Sequence, residues 1–319
     1  MSVKSAQIRA ALSCLMSAPP IIVGLGEILW DILPSGRQLG GAPANFAYCG
    51  HLFGNRAIVA SRTGNDELGN EICDRLQQAG LGEGSLQTDT KHPTGTVMVE
   101  LDPNGQPKYD ITAEVAWDFM EWTDAWKSLA QSADAVCFGS LAQRSPTSRV
   151  TILKVLKATR EDALRVFDVN LRQNFYSAEI LEQSLRAANV LKVNAEELAV
   201  LKHLLGVGTD FLNEASICKI FLGKFDLKLV CVTHGANGSL LCDSSGIYKH
   251  SGFQVEVKDA VGSGDAFTAG LVHGFLSGQT PEEMNDLANR MGAWVASNSG
   301  AMPVVPTLGI QQTLMRLTK

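Results

Sequence analysis

The segment Asp259-Ala-Val-Gly-Ser-Gly-Asp-Ala-Phe267 carries the strongest chemical signal in the chain. Gly262 and Gly264 bracket Ser263, and an apolar helical pattern follows at Phe267, Leu271, Val272 and Phe275. A glycine-rich turn at a helix start leaves backbone N–H groups pointing at one spot, and the helix dipole adds positive potential there. Such a nest suits a phosphoryl group or the transition state of its transfer. Asp265 falls in the first helical turn beside the nest, where a carboxylate can take the proton of an attacking hydroxyl. Plainer readings compete. Asp at this place commonly does no more than cap a helix, and a single Gly-x-Gly is weak evidence. The run does not extend to GxGxxG, because Phe267 holds the third position, and it lies too late in the chain for a dinucleotide fingerprint. There is no Walker A pattern GxxxxGK[ST].

Strands and helices must hold this turn in place. Ile21–Leu25, Ala57–Ala60, Ala135–Phe138, Leu164–Phe167, Val190–Val193 and Leu227–Val232 are short runs rich in apolar and β-branched residues. Helix-length segments such as Ser177–Ala188 and Asn213–Phe225 separate the later ones. Apolar runs without polar alternation mark strands covered on both faces, so the order predicts a doubly wound α/β fold with a mainly parallel sheet between helices. One region breaks the rhythm. Thr94–Leu101, an Asp102-Pro-Asn-Gly105 turn and Gln106–Thr112 read as a β-hairpin. Ile28–Leu33 is a candidate to pair with it. Strands over about 28–38 and 94–112 are therefore expected to form a small projecting sheet, suited to act as a lid. Residues 1–19 read as an N-terminal extension, only faintly like a signal peptide, with one domain over 20–319.

Composition limits the function classes. The 319 residues are 45% hydrophobic and 19% charged, with a net charge of −6. No Lys/Arg-rich run is present, which argues against a nucleic-acid surface, and no apolar stretch reaches membrane-spanning length. The seven cysteines form no CxxC pair and several sit in apolar runs, as expected of reduced thiols in a cytoplasmic protein. The six histidines make no zinc pattern.

Taken together, the motifs resemble the ribokinase, or PfkB, family of carbohydrate kinases. Gly262-Ser-Gly-Asp265 resembles the family's C-terminal signature, and Gly40-Gly-Ala-Pro-Ala-Asn45 its N-terminal one. Arg62–Gly69, Asn194-Ala-Glu-Glu197 and Thr233-His-Gly-Ala-Asn-Gly238 resemble further family segments, in family order, from about Gly24 to Pro306. Gly26-Glu-Ile-Leu-Trp-Asp31 and Asp168-Val-Asn-Leu-Arg172 look closest to fructokinases, the second also to 2-keto-3-deoxygluconate kinases.

The resemblance implies ATP as phosphoryl donor, Mg²⁺ and a small sugar acceptor, with fructose favoured. It implies catalysis by Asp265 beside Gly262, Ser263 and Gly264, and sugar binding by Asp31, Gly41, Asn45 and Arg172. The nucleotide side would comprise Asn194, Glu197, Thr233, Gly235, Gly238 and Asn289. Many relatives use K⁺, which implies a site at Asp259 and the Val261 carbonyl. Val304 stands where ribokinases carry a serine, so one side-chain ligand is missing. Taken alone, Arg172 also reads as a surface ion-pair partner and Asn45 as a polar residue inside a helix. A homodimer through the lid is a further expectation. Alternatives within the class are ketodeoxygluconate or a nucleoside as substrate. Outside it stands a sugar-sensing protein without catalysis, against which the intact Asp265 argues. A Rossmann-type NAD enzyme lacks its N-terminal fingerprint.

Overall fold

Strands that are apolar along their whole length need cover on both faces, and here helices supply it. The computed structural model describes residues 18–318 apart from 35, 83–84, 102–106 and 209–211. The first half of the chain contains β1 (Ile21–Leu25), β2 (Leu29–Leu33), β3 (Gly36–Gly40), α1 (Ala42–Leu52), β4 (Arg56–Gly64), α2 (Glu67–Gln78), β5 (Leu86–Asp89), β6 (Gly95–Leu101) and β7 (Pro107–Ile111). Next come α3 (Asp124–Ser132), β8 (Ala135–Phe138), α4 (Pro146–Ala158), β9 (Leu164–Asp168), α5 (Ala178–Ala187), β10 (Val190–Asn194) and α6 (Ala195–Leu204). The chain closes with α7 (Glu214–Phe225), β11 (Leu229–Thr233), β12 (Ser239–Cys242), β13 (Ile247–His250), α8 (Ser263–Leu276), α9 (Pro281–Ala296) and α10 (Ile310–Met315).

All six expected apolar runs lie in one sheet, in the order β13-β12-β11-β10-β9-β8-β1-β4-β5. It is parallel from β5 to β11 and ends in the antiparallel strands β12 and β13. One buried cluster, including Leu25, Phe138, Phe167, Leu181, Val193 and Phe221, fills the side covered by α3 to α7. The other, including Ile22, Phe46, Val166, Phe267, Met291 and Trp294, fills the side of α1, α2, α8 and α9. The rings of Phe138 and Phe167 stack at 5.2 Å between neighbouring strands, and truncating either to Ala would cost about 3–5 kcal/mol.

The helices start where the sequence supplies caps. Ser177 and Asn213 accept from the backbone N–H three residues on, at the starts of α5 and α7, and Asp66 does so for α2.

A second sheet has the order β3-β2-β6-β7. β2 joins β6 in parallel, and β6 and β7 pair antiparallel. The expected partnership of Ile28–Leu33 with the hairpin is thus present, while the Asp102–Gly105 turn lies outside the described residues. Of the expected extension over 1–19, only residues 18 and 19 fall within them. No helix among the described residues is long and apolar enough to cross a membrane.

Candidate active site

Parallel pairing brings the C-terminal ends of β1, β9, β10 and β11 to one edge of the sheet. Glu27 follows β1, Asp168 ends β9, and Asn194 and Thr233 stand paired at the ends of β10 and β11. The N-termini of α1 and α8 point at the same edge, the usual ligand position in open α/β sheets.

Gly262 caps α8 with φ 77, a left-handed conformation that a side chain would strain. A Cβ there would also collide with Ala301. Ser263 Oγ donates to Ala260 O at 2.8 Å, so its hydroxyl braces the turn. At Gly264 a Cβ would approach Lys192 Nζ to 3.0 Å. Lys192 in turn donates to Asp168 Oδ1 at 3.0 Å. Thr268 Oγ1 lies 2.7 Å from Asp168 Oδ2 and 3.0 Å from Gly264 O, tying β9 to the first turn of α8. Burial opposes the Lys192 charge, but Asp168, Glu197 and Asp265 outweigh it and hold the ammonium protonated.

Asp265 is partly exposed beside this cradle, and Asn45 Nδ2 donates to its Oδ2 at 2.8 Å. Burial pushes the Asp265 carboxyl up to about 6, and Asp168 adds to the rise. The Asn45 bond and the charges of Lys192 and Arg172 oppose it. A carboxyl with a raised pKa, partly exposed beside a helix N-terminus, is suited to accept a proton from a hydroxyl held against it.

Asp31 lies on β2 opposite Gln38, and burial pushes its carboxyl up to about 6 while Arg172 pulls it down. A Cβ at Gly40 would strike that carboxylate, so the glycine leaves Asp31 its space. Gly41 is the N-cap of α1 at φ 111. Arg172 is exposed, donates to its neighbour's carbonyl at Leu171, and acts electrostatically on Glu27, Asp31 and Asp265. Asp31, Asn45, Arg172 and Asp265 therefore gather in one place.

On the other side, Asn194 and Glu197 form a reciprocal capping box at α6, each accepting from the other's backbone N–H. Glu197 Oε1 also accepts from Leu171 N at 2.9 Å, which ties this cap to the loop carrying Arg172. Gly235 opens a short turn at φ 58 with open space around it, and Gly238 packs against the His250–Gly252 backbone. Thr233 Oγ1 bonds Val193 O. Asn289 is turned inward. Its Nδ2 meets Ser239 and Asn285 inside the α9–β12 contact. Asp259 accepts from Val261 N and Gly300 N, one with each oxygen, and Val261 is exposed. The Asp259 carboxylate thus braces the loop before α8.

Two participants escaped the sequence motifs, and a third sat in one without an assigned role. Lys192 was legible as a charge inside the apolar run Val190–Val193. Thr268 carried only its spacing of three from Asp265. Glu27 lay inside the Gly26–Asp31 motif but was given no role of its own; it is 3% exposed.

Comparison with known proteins bears on the family and the fold. Residues 36–308 match the description "pfkB family carbohydrate kinase". A fructokinase of Escherichia coli is 30% identical over 302 residues, covering 88% of this chain and 95% of that one. The crystal structure of a sugar kinase from Pyrococcus horikoshii in complex with ATP aligns with TM-score 0.75 and 26% identity, over 88% of this chain and 94% of the other. A Vibrio cholerae fructokinase variant, solved with fructose, ADP and a potassium ion, shares the fold with TM-score 0.76 at 24% identity, over 95% and 99% of the two chains. The match over most of its length places the chain in the pfkB family of carbohydrate kinases, phosphotransferases that act on an alcohol group.

Proposed function

We propose that the chain transfers the γ-phosphoryl group of ATP to a primary hydroxyl of fructose, with Asp265 as general base. The observation that carries this reading is Asp265 itself. It is partly exposed at the N-terminus of α8, carries a raised pKa, and is held by Asn45. The hydroxyl gives its proton to Asp265 as the oxygen attacks phosphorus in line. The first turn of α8, with Lys192 behind Gly264, faces the transferred charge. Asp31 and Asn45 discriminate hydroxyls by directional hydrogen bonds. Thr233, Gly235 and Gly238 border the nucleotide, and Asn289 supports that wall from inside.

When bound with the nucleotide, Mg²⁺ would supply charge to offset that of the phosphates. Among the described residues no three His, Cys, Asp or Glu converge on a cation position. A divalent ion would then be held chiefly by the nucleotide's phosphates, with Asn194 and Glu197 acting through water. K⁺ at Asp259 and the Val261 carbonyl belongs to the same reading, as does closure of the four-stranded sheet over the sugar. Six free cysteines among the described residues support a cytoplasmic setting.

One observation favours a second reading, 2-keto-3-deoxygluconate. Arg172 is exposed, yet its field reaches three carboxyls of the sugar side. A neutral ketose has no group that needs a guanidinium, whereas a sugar acid does. Incubation with ATP, Mg²⁺ and a panel of sugars, reading ADP, tests both. Higher kcat/KM for ketodeoxygluconate than for fructose would overturn the fructose assignment. Equal rates in K⁺ and in a bulky organic cation would remove K⁺ from it.

A further inference from the structure

Glu27 takes part in none of the steps above, yet it is only 3% exposed beside the base. β1 delivers it to the site edge, and a Cβ on Gly41 would come within 2.6 Å of its carbonyl oxygen, so backbone and cap are pressed together. Its carboxyl accepts from the backbone N–H of Ala42, the first residue of α1. Oε2 nevertheless has no hydrogen-bond partner. Three residues further along α1, Asn45 is 4% exposed. Its Nδ2 donates to Asp265, while its Oδ1 also has no partner.

Two buried acceptors without donors are costly. A proton on Glu27 would turn Oε2 from an unpartnered acceptor into a donor. We propose that Glu27 is a positioning residue for the base: as a neutral carboxylic acid it donates from Oε2 to Asn45 Oδ1 and so holds Nδ2 turned toward Asp265. Without that donor the Asn45 amide is free to turn over, and Oδ1 would then face the Asp265 carboxylate, acceptor against acceptor. The inference rests on the reading of Asp265 as base.

The surroundings agree. Burial pushes Glu27 up to about 7, with the charge of Asp265 on α8 adding to it and Arg172 and backbone N–H groups opposing it. From β8 it is faced by Cys137, whose thiol burial keeps protonated. Between the unfolded value of 4.5 and the folded value of about 7, the folded state binds more protons than the unfolded one. Stability is therefore lost as pH rises through that window.

The test compares the wild type with Glu27→Gln, Glu27→Ala and Asp265→Asn. The Gln side chain keeps a neutral donor, and Ala has none. Glu27→Ala is expected to lose kcat by roughly 10- to 100-fold with the KM for ATP unchanged, and Glu27→Gln to recover most of that loss. Wild-type kcat should fall as pH rises past the Glu27 titration, and the Gln variant should lack that fall. The melting midpoint of Glu27→Gln should also gain on the wild type between about pH 5 and about pH 8. A midpoint difference that is the same at both pH values overturns the neutral acid. Wild-type kcat in Glu27→Ala beside an inactive Asp265→Asn overturns the positioning role alone. An active Asp265→Asn overturns the assignment of the base, and this proposal with it.

Discussion

A carboxylate serves as a base only when ionised, and Asp265 sits where burial and Asp168 oppose ionisation. With a pKa raised to about 6, its ionised fraction drops about tenfold for each unit below that value. The acid limb of kcat/KM should therefore fall near pH 6 rather than near the ordinary carboxylate range. Asp265→Asn should lower kcat by roughly two to four decades, with ATP affinity preserved in calorimetry. Near-normal turnover would sink the assignment. Arg172 separates the two substrate readings. For a neutral ketose, Arg172→Ala should leave the sugar KM within a few-fold. For a sugar acid, KM should rise by the roughly 1.5–3 kcal/mol of a charged hydrogen bond. At this scale the sequence revealed Asp265, Asn45 and Asp31 because each sits in a motif. Lys192 stayed hidden, and Glu27 was read only as part of the Gly26–Asp31 motif, because their roles come from burial among partners far along the chain, which spacing does not encode.

At the scale of elements, α8 must begin at Gly262 and nowhere else. Its φ of 77 and the proximity of Ala301 both exclude a side chain. Gly262→Ala should cost roughly 1–3 kcal/mol in chemical denaturation and displace the first turn that carries Asp265. An unchanged denaturation midpoint with full activity would refute that. The six apolar runs that formed sheet strands were readable because both faces of the sheet are covered. The edge strands β13 and β5 were not, since they lack a continuous apolar run, and β12 between β11 and β13 was missed although it is buried throughout. The capping-box role of Asn194 and Glu197 could be read from Asn-x-x-Glu as readily as a ligand role, because the spacing serves both. Asn289 shows the opposite case: its position matched a family pattern, while its amide is spent within the protein.

Seen as a whole, the molecule is a large sheet with a smaller one set beside its ligand edge. The smaller sheet ends in the edge strands β3 and β7, and Met98 on β6 is 42% exposed. Exposed strand edges and apolar side chains need cover. A dimer through this sheet is the expected outcome, and sedimentation at micromolar concentration checks it. A strict monomer would remove the dimer and leave lid closure to be judged by kinetics. The bond between Asn45 and Asp265 joins residues 220 positions apart. At roughly 5–20 residues per second, a ribosome would need on the order of 10–40 s to pass from one to the other. A growing chain can therefore pair β1 with β4 and β8 long before it carries Asp265, while α1 must wait for α8 to complete its cover. On the reading of Asp265 as base, the nascent protein has no means to spend ATP until α8 emerges and docks, and a product truncated after β11 is expected to be silent, not wasteful. With that base, the connectivity makes synthesis through α8 a condition for activity.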